Sequence, residues 1–200
     1  MKTTTWIRWL APVLALCACS SPTKSGAETS AADTLLAELA KLEGQAFEGR
    51  LLVNQPQGAD DPFVGQRLVA HVRKVEKDRV EVPFHVGEDH SRTWVITRTD
   101  SGLRLKHDHR HRDGSEDELT QYGGDTATAG TATRQEFPAD RHSVDLFERT
   151  GRHVSIPNVW AFELEPGRRL VYELARPGRL LRVEFDLTRT VPTPPAPWGH

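Results

Sequence analysis

Cysteine is nearly absent: two occur in 200 residues, Cys17 and Cys19, both near the N-terminus. The rest of the chain therefore has no disulfide framework, no thiolate metal site and no thiol nucleophile. An excess of one charge sign is lacking too. Lys and Arg number 26 against 28 Asp and Glu, a net charge of −2. That balance gives no electrostatic footprint for nucleic acid and no polybasic membrane patch. Long hydrophobic runs are also missing, and the apolar run Trp9 to Leu16 is too short to cross a bilayer. The spacings G-x-S-x-G, H-E-x-x-H, G-x-x-x-x-G-K-S/T, G-x-G-x-x-G and C-x-x-C-H do not occur. The usual sequence reasons to expect an enzyme are thereby removed.

What is present at the N-terminus follows an order. Lys2 and Arg8 make a basic start, the apolar run follows, and small Ala18 precedes Cys19. This is the plan of a secretory signal peptide over residues 1–18. A signal that closes on cysteine, as Leu16-Cys17-Ala18-Cys19 does, resembles the lipobox of bacterial lipoproteins. The resemblance implies a diacylglyceryl thioether on Cys19, cleavage after Ala18 and acylation of the new amine. Two alternatives stay open. Cys17 as the acceptor would put Leu16 at the small-residue position, and Cys19 could be incidental in a secreted protein. Acyl chains contribute about 0.8 kcal/mol per buried methylene, so two or more anchor stably where one does not. Ser20 and Ser21, rather than Asp, follow Cys19. In a two-membrane host this resembles the sorting pattern of outer-membrane lipoproteins facing the periplasm.

Without the signal about 180 residues remain, enough for one domain with a sizeable core. Residues 19–32, rich in Ser, Thr, Ala and Gly, read as a flexible tether. Ser30 and Asp33 have capping-box spacing, Leu35, Leu36, Leu39 and Leu42 recur at helical spacing, and Gly44 stops the run; a helix is expected over 33–43. From Phe47 the period changes to two. Strands are expected at 47–54, 67–75, 78–86, 91–99, 102–111, 118–122, 130–137, 157–164, 169–175 and 180–188, with Gly, Pro and Asp turn signals between them. Many short strands and little helix predict a mainly β fold over 33–190, an antiparallel up-and-down, calycin-like barrel of about 8–10 strands. A two-sheet β-sandwich is the alternative. The segment 191–200 holds Pro192, Pro194, Pro195 and Pro197, which favour an extended tail on the surface, pinned by Trp198.

The densest chemistry lies in Gly102-Leu-Arg-Leu-Lys-His107-Asp-His109-Arg-His111. Strand alternation puts Leu103, Leu105, His107, His109 and His111 on one face, and Arg104, Lys106, Asp108, Arg110 and Arg112 on the other. The leucines mark the first face as inward, so the three histidines are expected to line the barrel near its rim. If the strand ends by His109, His111 belongs to the turn instead. Imidazoles at i and i+2 can share a divalent transition metal such as Zn, with His85, Glu88, Asp89 or His90 completing the set. Hydrogen bonding among buried histidines and a polar ligand pocket without metal are the competing readings. His85, Glu88 and Trp94 are candidate pocket residues, while Trp94 and Trp160 equally suit core. The acidic run Ser115-Glu116-Asp117-Glu118 lacks EF-hand spacing and reads as a solvated loop.

Val86-Gly-Glu-Asp-His-Ser-Arg-Thr-Trp94, the histidine block, Asp113-Gly-Ser115, Tyr122-Gly-Gly124 and Arg182-Val-Glu-Phe-Asp-Leu187 resemble a family of exported or lipid-anchored bacterial proteins of unknown function. The similarity runs from about Phe47 to Leu187, and the histidine block is its most specific part. It implies a folded exported domain and no catalytic residue. The leading expectation is a non-enzymatic, lipid-anchored envelope protein whose barrel holds a small ligand or a metal ion near His107, His109 and His111. A metal-assisted hydrolase or lyase, with Glu88 or Asp108 as base, and a structural or assembly factor of the envelope are the alternatives.

Overall fold

The structure, a computed structural model, describes residues 1–2, 29–58 and 61–200. Cys19 and most of the expected signal peptide and tether lie outside the described residues. The chain begins its ordered course with α1 (Ala31–Ala40), capped by Ser30, whose hydroxyl accepts the Asp33 N–H at 3.1 Å. The helix thus starts two residues before the expected boundary, and buried Ala32 belongs to the domain rather than to a tether. Leu35, Leu36 and Leu39 bury its apolar face.

Eleven strands then form one antiparallel sheet. They are β1 (Ala46–Gln55), β2 (Leu68–His71), β3 (Lys74–Glu76), β4 (Arg79–Val86), β5 (Asp89–Thr99), β6 (Gly102–His109), β7 (Tyr122–Asp125), β8 (Arg134–Pro138), β9 (Val159–Glu165), β10 (Arg169–Arg176) and β11 (Arg179–Asp186). The spatial order is β7-β6-β5-β4-β2-β1-β11-β10-β9-β8. β2 and β3 are halves of one expected strand, both paired to β4. The interruption falls at Val72, whose N–H and carbonyl turn instead to Gln45 and Gly44 after α1. First and last strands pair, β1 on β11, so the sheet curls into a nearly closed up-and-down barrel as the alternation predicts.

The ladder breaks between β7 and β8. There α2 (Arg141–Arg149), absent from the expectation, takes over. The Asp140 N–H donates to the Gly123 carbonyl at 2.8 Å, and the Ser143 hydroxyl accepts the Gly123 N–H at 2.7 Å. A helix N-terminus so supplies the partners that a neighbouring strand would have given.

Several strand boundaries differ from expectation by two residues or more. The strand placed at 118–122 is a loop, and pairing begins only at Tyr122. Asp117 accepts the Leu119 N–H at 2.7 Å, and Gln121 has φ 56°, both turn features. The 130–137 strand shortens to β8, and β6 ends at His109.

The barrel has two unlike ends. α1 packs on β4, β5, β6 and β8 at one of them, and Asp33 reaches Arg98 near the end of β5 at 2.5 Å. The other end is framed by α2, the short helical turn His153–Ser155 and the loops before β2 and after β6.

Candidate functional site

Alternation along each strand builds the interior. β5 sends Arg92, Trp94 and Ile96 inward, and β6 sends Leu103, Leu105, His107 and His109. β10 contributes Leu170, Tyr172, Leu174 and Arg176; β11 contributes Arg179, Leu181, Val183 and Phe185. Each stripe is aliphatic or aromatic towards α1 and polar at the opposite rim. The result is a cavity of about 320 Å3, walled by Phe84, Trp94, Trp160 and Tyr172 and open at the basic rim. Trp94 stacks on both Phe84 and Tyr172, with ring centroids at 4.7 and 4.4 Å, and those two rings are themselves 6.4 Å apart.

His107 and His109 occupy the inward face that their spacing predicts. His107 is buried, its Nδ1 3.2 Å from the Tyr122 carbonyl and its Nε2 2.9 Å from the Tyr172 hydroxyl. A carbonyl only accepts, so Nδ1 carries the proton, Nε2 is left as acceptor, and Tyr172 O–H donates to it. Burial pushes His107 down to about 3, with His109 as a second cause, and the ring is neutral. His109 meets the Tyr122 hydroxyl at 3.0 Å and is pushed to about 4 by burial, then by the Arg92 charge. Burial also raises Tyr122 to about 12, so both phenols stay protonated.

The remaining candidates do not converge on this pair. His111 lies beyond the end of β6, exposed, 3.9 Å from Asp117. Its parity argument fails because β6 ends two residues earlier, at His109, and His111 opens the Asp113-Gly114 turn. His85 points to the outer wall, since its neighbours Phe84 and Val86 take the inward positions of β4. There its Nδ1 meets His90 Nδ1 at 2.7 Å, in a groove with Glu88 that Pro192–Pro195 cover. Of the three pocket candidates only Trp94 lines the lumen. Among the described residues no group of three His, Cys, Asp or Glu is arranged to hold a metal ion. Asp108 faces outward as expected but is buried, held by Arg110 at 2.9 Å and His200 at 3.1 Å.

Sequence reasoning passed over the rim. Arg92, Arg152, Arg176 and Arg179 line the cavity mouth with Asn158, Asp117 and Ser155. Arg92 pairs with Asp89 at 2.5 Å, and Arg179 with Asp61 at 3.2 Å and Asn54 at 2.6 Å. Arg176 donates to the Asn158 side-chain oxygen at 3.1 Å; burial and the Arg179 charge lower its pKa. The signal was available: Arg92 stands two before Trp94, Arg176 two after Leu174, and Asn158 two before Trp160. Comparison of the chain with protein-family models, curated proteins and solved structures gives no match in any of the three.

Proposed function

We propose that this protein is a non-enzymatic binding protein of the cell envelope, which holds a small organic molecule in its barrel and is tethered to the membrane by a lipid on Cys19. One observation carries the reading: a cavity of about 320 Å3 with four aromatic walls and an open mouth. Protein interiors close-pack, and large apolar voids are few. The cavity's lining mixes apolar rings and leucines with a few arginine, histidine and asparagine groups, the make-up of a pocket for a small organic molecule. Its size lies at the small end of ligand pockets, roughly 300–1,000 Å3. The two lumen histidines are hydrogen-bonded wall, and among the described residues no group of three His, Cys, Asp or Glu favours the metal-assisted reading.

The test is titration of purified protein with phenylnaphthylamine, a neutral dye that brightens in apolar sites. A Cys19→Ser variant avoids detergent. One-to-one binding is expected, lost in Leu174→Trp, which fills the lumen near its mouth, with the thermal unfolding of that variant retained. A protein that gives no signal with the dye is not a lumen binder. In the tether arm, labelled palmitate should enter the wild type and not Cys19→Ser.

A further inference from the structure

We infer that the lumen ligand is an aromatic acid, its apolar body in the cavity beside Tyr122 and Tyr172 and its carboxylate or sulfonate between Arg152 and Arg176. The inference rests on the lumen-binding reading and adds the chemical class. Four guanidinium groups line the cavity against one carboxylate, Asp117. Two of the four are spoken for. Arg179 is fixed by Asp61, Asn54 and the Pro56 carbonyl, and Arg92 leans on Asp89. Among the described residues neither Arg152 nor Arg176 has a carboxylate within 4.0 Å.

The rest of the barrel shows how differently this chain treats its arginines. On the outer wall Arg134, Arg169 and Arg182 each meet two or more of Glu136, Glu163, Glu165, Glu173 and Glu184. Those side chains face water, where pairing matters least. At the rim Arg176 is partly buried, and its acceptor is the neutral amide of Asn158, itself 5% exposed. A half-buried cation with a neutral partner is costly, and an incoming anion relieves the cost. The lumen histidines offer no compensation, since they are neutral, and Arg92 projects its charge towards His109. Guanidinium groups grip planar oxyanions through paired N–H donors. A lining that includes Leu119, Tyr122, Tyr172 and Leu174, and a volume of about 320 Å3, suit a compact aromatic body.

The experiment compares phenylnaphthylamine with anilinonaphthalene sulfonate, which has the same body plus an anionic group. The sulfonate is expected to bind about tenfold tighter or better, the worth of one charge-assisted hydrogen bond. Arg176→Gln should remove that advantage, read as the ratio of the sulfonate's affinity to that of the neutral dye in the same variant. Arg152→Gln, at an exposed position with no side-chain partner among the described residues, should weaken the sulfonate in the same direction and guards against a folding defect in the first variant. Added salt should weaken the sulfonate alone. Equal affinities for both dyes, or sulfonate affinity indifferent to both substitutions, overturn the acid while leaving lumen binding intact. Failure of both dyes overturns the lumen reading itself, so the two failures are distinguishable.

Discussion

His107 sits where a charged imidazole would have no solvent, and it engages both ring nitrogens with Tyr122 and Tyr172. His109 beside it and His85 on the outer wall share the condition, with values near 4 against about 3 for His107. In all three, burial is the largest cause. The folded chain therefore resists protons that the unfolded chain accepts below about 6.5. Stability from these groups is complete above pH 6.5 and is lost as pH falls towards their folded values. The loss is about 1.4 kcal/mol per histidine for each pH unit, so about 2 kcal/mol each at pH 5. Carboxylates hardly titrate between pH 6.5 and 5, so that interval isolates the histidines. Urea unfolding should show stability falling by several kcal/mol across it, and His107→Gln should flatten the slope by about 2 kcal/mol. A profile level from pH 7 to 5 in the wild type would mean that these rings are not held neutral.

Among the elements, the seam between β7 and β8 depends on one glycine. A Cβ on Gly124 would meet the Pro138 carbonyl oxygen at 1.9 Å and the Asp140 nitrogen at 3.1 Å. Both are backbone atoms and neither can step aside, so Gly124→Ala must push α2 away from β7. Loss of the Asp140–Gly123 and Ser143–Gly123 hydrogen bonds follows, at about 1 kcal/mol each beyond the steric cost. Thermal melting should fall well below that of Gly167→Ala, where φ is positive (68°) but no atom lies within 4 Å of the new Cβ. Gly124 is not among the positive-φ glycines, so a loss no greater than that of Gly167→Ala would mean that the seam yields to the added methyl without breaking. The seam was also where the sequence was hardest to read. β4, β5, β6, β10 and β11 were legible because half-buried antiparallel strands alternate, and the pleat turns alternation directly into facing. α2 was overlooked although Asp140 caps it and Ser143, Leu146 and Phe147 follow at helical spacing, because a nine-residue helix gives a short periodic signal among strand-length runs. The rim arginines were only half legible. Parity with Trp94 and Leu174 puts Arg92 and Arg176 on the inward face, but only the neighbouring strands and loops fix which end of the barrel is open.

At the scale of the molecule, the C-terminal segment ties together strands that are far apart in the sequence. Its course starts with the Val191 N–H on the Ala46 carbonyl at 2.8 Å, crosses His85 and His90, and ends with the Trp198 N–H on the His90 carbonyl at 3.0 Å. His200 then closes on Asp108, and Arg112 lies over the Trp198 ring. Only 2% of His85 is exposed, although it points outward, and the proline run supplies the cover. Deletion of residues 191–200 should therefore return water to His85 and raise its pKa from about 4 towards 6.5, visible in the imidazole NMR signals on titration. His107, inside the barrel and out of the tail's reach, should stay where it is. The same deletion bears on what the tail is for. The lumen opens at the rim of Arg92, Arg152 and Arg176, whereas the tail lies on the outer wall, so dye affinity in the truncated protein should match that of the whole chain. A His85 that still titrates near 4 after deletion would assign its burial to His90 and the neighbouring strands. A dye affinity that falls with the tail would mean that the outer wall and the mouth are coupled, and that the strap helps to hold the barrel open.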